Sequence, residues 1–213
     1  MTKYVVVDLE MCRVSKQRRK NVKIAKEIIQ IGAVLLDEEF EVKDKFMTFV
    51  KPEYGVIDEY INNLTGICNE DLIGAPDLKH ALEEFIAWLP EEVVLVSWSN
   101  NDKLQIFFEI DKKGLKVEGI EKLSDEWFDC QKEFAIKLKN KKEYRLSEAL
   151  CISNVEYEEG SHNGLVDAIN TAKLLKKVKT EAELKLCEYY FCDEDGDISF
   201  GFSLGSLLGG TVS

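Results

Sequence analysis

Apolar and polar positions along the chain alternate in ways that mark out its elements. Tyr4-Val5-Val6-Val7 is a β-branched and aromatic run that suits a buried strand, and it leads into Asp8-Leu9-Glu10-Met11. Glu27 to Asp37 is almost wholly apolar and predicts a second, long strand. Phe40 to Val50 alternates and predicts a third, with Asp37-Glu38-Glu39 as the turn and Pro52 as the stop. Three strands with short connections make an antiparallel meander. Asp58 to Leu64 then predicts a short helix stopped by Thr65-Gly66, and Asn69 or Asp71 caps a further turn. Asp77 to Leu89 carries a helical stripe closed by Pro90.

Val93 to Trp98 is a short apolar run after a helix, which favours a parallel strand. It passes through Ser99-Asn100-Asn101-Asp102 into a helix ending near Lys112, with Asn100 or Asn101 as its cap. Trp127 to Cys130 reads as a last strand, followed by a helix to about Lys139 and a helical turn over Leu146–Leu150. Apolar positions 165, 168, 169, 172, 174, 175 and 178 make an amphipathic helix from Gly164 to Val178.

Composition adds limits. A chain of 213 residues with 3 prolines and no repeat fits one domain over residues 1–180, extended by a carboxyl-terminal helix and a hairpin or tail over 181–213. No apolar run reaches the 18 residues of a membrane span. The first strand begins too early for a secretory signal, so a cytoplasmic location is expected. The 6 cysteines (12, 68, 130, 151, 187 and 192) show no C-x-x-C pair and read as reduced core residues, with no zinc site. A net charge of −12 works against loose nucleic-acid binding. Residues 13–26 run against that balance, with seven cations (Arg13, Lys16, Arg18, Arg19, Lys20, Lys23, Lys26) and no acid. They read either as a solvated loop or as a flexible arm that tracks phosphates. Lys137, Lys139, Lys141, Lys142 and Arg145 form a second cluster.

The chemistry starts at Asp8 and Glu10. Side chains two apart on a strand share a face, so the first strand presents two carboxylates together. Like charges this close are costly without a cation between them, and a divalent ion with oxygen ligands fits. The plainer alternative is two acids in solvent at a strand end, since Asp37 and Glu39 repeat the spacing. Asp102 stands at another strand's carboxyl end, where open α/β sheets place ligands. Asp167 lies in the first turn of its helix, where an acid is favoured in any case. His162 precedes it in a Ser/Asn/Gly-rich loop and suits general-base work. His80 and Trp98 read as surface or packing residues. Asp193 to Asp197 reads as a hairpin turn between Tyr189–Phe191 and Ile198–Phe200, because its glycine comes too early for a calcium loop and Leu204 replaces the bidentate acid.

In order, Asp8, Glu10, Asp102, His162 and Asp167 resemble the DnaQ-like 3′–5′ exonucleases of the Asp-Glu-Asp-Asp-His (DEDDh) type. Asp8-Leu9-Glu10 matches the family's first motif, Asp102 its second, and His162 with Asp167 its His-x4-Asp third. Glu27 to Gly32, Phe49 to Pro52 and Leu64 to Ile67 look like family segments in the expected order. The stretch from Trp127 to Ala168 is most similar to the subgroup of enhanced-RNA-interference and histone-mRNA exonucleases. The resemblance runs from about residue 3 to 178; the long basic stretch 13–26 departs from it, and the tail beyond Thr180 has no counterpart.

The resemblance implies a ribonuclease H-like fold: a mixed five-stranded sheet, three strands antiparallel and two parallel, with helices on both faces. It implies two Mg²⁺ or Mn²⁺ ions held by Asp8, Glu10, Asp102 and Asp167, with Asp8 between them and His162 taking a proton from the attacking water. Met11, Ile67 and Asn101 are expected to contact substrate. The implied reaction releases nucleoside 5′-monophosphates from single-stranded or frayed 3′ ends, short RNA ahead of DNA. Two other functions stay open: a catalytically silent binding module on the same fold, and a metal-dependent phosphohydrolase of small nucleotides.

Overall fold

Strand β1 (Tyr4–Val14) is apolar at successive positions because both of its faces are covered. Val5, Val7 and Leu9 enter one core and Val6 enters another. The computed structural model describes residues 2–125, 127–158, 160 and 162–187, together with the backbone of 190–192 and 198–200. After β1, helix α1 (Lys16–Val22) leads into β2 (Lys26–Leu36) and β3 (Val42–Phe49). Asp37 holds the turn between these two, its Oδ1 accepting from the amides of Glu39 and Glu41 at 3.0 and 2.9 Å.

A two-residue strand, β4 (Gly55–Val56), returns to pair with Arg13 and Val14. Helix α2 (Glu59–Thr65), capped by Asp58 and closed by Gly66 at φ 72°, precedes a 3₁₀ turn at Glu70–Leu72. Asp77 caps α3 (Leu78–Trp88), and its Oδ1 also meets the exposed His80 ring at 2.8 Å. There follow β5 (Val94–Ser97), α4 (Asn101–Lys113), α5 (Glu121–Ser124), β6 (Phe128–Asp129), α6 (Cys130–Lys137), α7 (Leu146–Ile152) and α8 (Gly164–Thr180).

The sheet runs β3-β2-β1-β5-β6, antiparallel through the first three strands and parallel through the last pairs. That is the expected five-stranded mixed sheet, with β4 as a sixth, unexpected strand. Residues of α3 and α4 cover one face; α6, α7 and α8 cover the other. Because β5 pairs with β1 only over Tyr4–Val6, the neighbours of β1 diverge beside Asp8.

Several expectations change. Residues 13–26 are not a flexible arm; they are the end of β1, a helix and the start of β2. Neither Asn100 nor Asn101 caps α4 with its side chain; the Oγ of Ser99 accepts the Asn101 amide at 3.4 Å. No helix follows Thr180 among the described residues, so the expected carboxyl-terminal helix is absent there. The backbone of β7 (Tyr190–Cys192) and β8 (Ile198–Phe200) pairs antiparallel, as a hairpin requires, and Asp193–Asp197 lies outside the described residues. Cys12 and Cys130 are buried free thiols, but Cys151 is exposed.

A buried ionic cluster ties α4 to the start of β2. The Nζ of Lys113 lies 2.6 Å from Glu27 Oε1 and 2.9 Å from Glu109 Oε2. Glu27 also accepts the Glu53 and Tyr54 amides at 3.0 and 2.7 Å, and Glu109 accepts that of Ile28 at 2.7 Å. Every member is therefore paired, the condition under which buried charge is tolerated.

Candidate active site

The even positions of β1 turn from core to chemistry where Val6 gives way to Asp8 and Glu10, on the face beneath α8. Opposite them in β2 stand Gly32 and Gln30. Glycine and glutamine replace what would otherwise be apolar side chains, and α8 docks there. The Oε1 of Gln30 accepts the Gly164 amide at 2.7 Å, and Gly164 sits against the Asp8 carbonyl. A bulge follows at once: Glu10 faces Gln30 but Met11 faces Ile28, which turns Ile29 away from the face that holds Ile28.

Each sequence-predicted acid arrives from a different element. Glu10 is 8% exposed and Asp102 is 7% exposed, while Asp8 and Asp167 are half-buried. Asp102 enters from the first turn of α4, which the β5 end directs toward Asp8. Asp167 enters from the first turn of α8, where Asn163 caps the helix by accepting the Leu165 amide at 3.1 Å. His162 has φ 61° and its amide donates to Asp167 Oδ2 at 3.0 Å, so the loop folds back over the acid. One ligand atom from each of Glu10, His162 and Asp167 lies within 4.8 Å of the others. His162 is exposed.

The electrostatics show how close the four acids are. Burial first, then the charges of Asp102, Asp167 and Glu10, raise the Asp8 carboxyl well above the usual range. Burial and the charges of Asp167 and Asp102 push Glu10 to about 8. Burial pushes Asp102 to about 7, against its own amide and that of Leu9. Asp167 is also raised by burial, against the amide and charge of His162. No lysine or arginine is among the causes. Four carboxylates that oppose one another's ionisation, with hard oxygen donors facing one space, fit divalent cations.

Two cavities flank the acids and share Asn101. One, of about 770 Å³, is walled by Met11, Ala25, Lys26, Leu104, Gln105, Phe107 and Phe108. The other, of about 520 Å³, is lined by Trp98, Ser99, Gln131, Arg145, Tyr157, His162 and Asp167, among others. Met11 lines the first cavity and Asn101 lines both. Ile67 lines neither: it is 3% exposed and packs with Ile57, Ile61 and Leu72, so its expected place beside the terminal base gives way to a core role. Trp98 packs, its Nε1 donating to the Tyr144 carbonyl at 2.9 Å.

In the second cationic cluster, Lys142 pairs with Glu148 and Lys137 bonds the Glu181 carbonyl, leaving Arg145 as its member on the cavity wall. Sequence reasoning missed the Leu104/Phe107/Phe108 wall, though its i, i+3, i+4 spacing was visible, and it missed Gln30.

Known proteins are similar to this chain. An exonuclease family model (RNase_T) matches residues 5–175. ERI1 exoribonuclease 2 of Danio rerio is 29% identical over 201 residues, covering 83% of this chain and 35% of its own length. The chain therefore spans about a third of that relative. DNA polymerase III subunit epsilon of Aquifex aeolicus is 30% identical over 195 residues, covering 88% of this chain and 86% of that protein. Among solved structures, the nuclease domain of 3′hExo, a DEDDh family member bound to rAMP, superposes with a TM-score of 0.68 at 21% identity, covering 87% of this chain and 96% of that one.

Proposed function

The chain belongs to the exonuclease family, and from that premise we propose that it is a metal-dependent 3′–5′ exonuclease acting on single-stranded or frayed 3′ ends. The observation that carries this reading is the convergence of Asp8, Glu10, Asp102 and Asp167 into one electrostatically frustrated space, with His162 at its open rim. These four acids would hold Mg²⁺ or Mn²⁺, two ions on the family pattern. Such cations supply a hydroxide nucleophile at neutral pH and stabilise the leaving oxygen.

The chain's own residues do the rest. Met11, Leu104, Phe107 and Phe108 offer an apolar wall for a terminal base, and Asn101 offers polar atoms where the two cavities join. The imidazole of His162, at the exposed edge beside Asp167, accepts the proton released as water attacks the terminal phosphodiester. Asp167 orients the His162 loop through its amide bond. A nucleoside 5′-monophosphate leaves.

The net charge of −12 favours short strands or frayed ends over long duplexes as substrate. RNA ahead of DNA is supported by the likeness to an exoribonuclease; contacts to the 2′-hydroxyl would decide it. A cytoplasmic location is part of the same proposal, in keeping with the free cysteines among the described residues.

The test is digestion of 5′-labelled RNA and DNA with Mg²⁺, Mn²⁺ or EDTA. Stepwise shortening from a free 3′ end is expected, abolished by EDTA and by Asp8→Ala, and lowered by His162→Ala by about 10²–10⁴-fold. A 3′-phosphate-blocked strand degraded as fast as a free one would argue for a different phosphohydrolase. No metal-dependent loss of any strand would leave a binding module.

A further inference from the structure

Helix α1 has no structural reason for its composition. None of its residues is buried, and it has no acid in its first turn. Cations in a first turn oppose the helix dipole, and like charges four apart, such as Lys16 with Lys20 and Arg19 with Lys23, repel. A seven-residue helix without an apolar face is marginal in any case. It is instead fastened to the body by two arginines: Arg18 Nη1 donates to the Tyr54 carbonyl at 2.8 Å and Arg19 Nε to the Val14 carbonyl at 2.7 Å. Arg13 stacks on the Tyr60 ring at 4.4 Å. Lys16, Lys20 and Lys23 take no part in this. They are exposed: Lys16 and Lys20, four apart, share one side of the helix, Lys23 is its C-cap at φ 57°, and no salt bridge engages them among the described residues.

The place of this stripe is set by the hairpin. Arg13 pairs with Lys26 across β1 and β2, and α1 is the tip that joins them. The inner hairpin residues Met11, Ala25 and Lys26 wall the 770 Å³ cavity beside the carboxylates. Four steps along the strand carry the chain from Glu10 to Val14, about 13 Å at the usual rise. A cationic row fastened at the tip of the hairpin that carries Asp8 and Glu10, in a chain otherwise strongly acidic, matches a ligand with regularly spaced negative charge.

We propose that Lys16, Lys20 and Lys23 bind the phosphates of the single strand that runs 5′ from the terminal nucleotides at the active site. This rests on the exonuclease reading and adds where the rest of the strand lies. The arginines hold the helix; the lysines hold the substrate.

The test measures binding and turnover separately. Binding of a 5′-fluorescein dinucleotide and octanucleotide RNA is followed by anisotropy in EDTA across a salt series, and hydrolysis of both is followed with Mn²⁺. The triple variant Lys16→Gln/Lys20→Gln/Lys23→Gln is compared with Lys3→Gln/Lys43→Gln/Lys176→Gln, which removes the same charge at the opposite end of the sheet. The wild type is expected to bind the octanucleotide more tightly than the dinucleotide. The α1 variant loses most of that gain, and its slope of log K against log salt falls by about 2, at about 0.7 per phosphate contact on a single strand. Its dinucleotide hydrolysis is unchanged, and the distal variant behaves as wild type. An equal loss in both triples, an equal loss on both lengths, or no length gain in the wild type overturns the proposal. Absence of hydrolysis in the wild type counts against the exonuclease reading alone, because the binding series still tests α1.

Discussion

Gly32 and Gly164 meet backbone against backbone: a methyl group on Gly32 would lie 2.1 Å from the Gly164 carbonyl carbon. Through this contact the first turn of α8, with Asp167, rests on the strand opposite Asp8. Gly32→Ala must push α8 away, at a cost of about 1–3 kcal/mol for the overpacking and with a large loss of activity. Gly164→Ala meets the Asp8 carbonyl at 3.0 Å, Gln30 Oε1 at 3.2 Å and the Gly32 nitrogen at 3.3 Å, none as close as 2.1 Å, so a smaller effect on both is expected. Thermal unfolding and hydrolysis rates of the two variants would show this order; equal behaviour would contradict the docking account.

Gln30 holds the same helix from the strand side. Gln30→Leu leaves the Gly164 amide buried without its acceptor, worth about 1–3 kcal/mol. Gln30→Glu keeps the acceptor oxygen but adds a fifth acid beside Glu10. The expected signature is a fall in kcat with little change in KM for Leu, and weaker metal-free stability for Glu that is sharper at high pH. Calorimetry with steady-state kinetics reads both.

The raised carboxyls make stability depend on pH in a definite direction. Glu10 at about 8 and Asp102 at about 7 keep their protons in the folded chain at pH values where the unfolded chain, near 4, has lost them. Their stabilising contribution is full below about pH 4 and is lost as pH rises through 7 to 8. Metal-free protein should therefore lose on the order of a few kcal/mol between pH 5 and pH 9. Added Mg²⁺ or Mn²⁺ should raise Tm more at pH 8 than at pH 6, because binding displaces protons. A metal-induced shift of the same size at both pH values would contradict this.

Among the described residues, Lys113 is the only cation between two fully buried carboxylates, and its removal strands them. Lys113→Met is expected to cost about 3–5 kcal/mol. Adding Glu27→Gln and Glu109→Gln should restore much of the loss, and a chemical denaturation series would measure it.

Much of this was legible because the signals were local. Val5 to Glu10 revealed both a covered strand and the shared face of its acids, and the stripe from Leu165 to Val178 placed Asp167 in a first turn. What was hidden depended on partners distant in sequence or on missing patterns. Gln30 meets Gly164 across 134 positions, so nothing near Gln30 announces the bond. Helix α1 buries no residue and so leaves no apolar period to detect. Strand β4, at Gly55–Val56, is too short to alternate. Ile67 lies in a segment that looks like the family's, but burial in the cluster around Ile61 decides what it touches.

The central claim is that acids from three elements bind cations together. Mn²⁺ binding counted by electron paramagnetic resonance tests it without any substrate. Two Mn²⁺ per wild-type chain are expected, with tight binding lost in both Asp8→Asn and Asp102→Asn, although these residues belong to different elements. Wild-type protein that binds no Mn²⁺, or variants that bind it as well as wild type, would contradict the account.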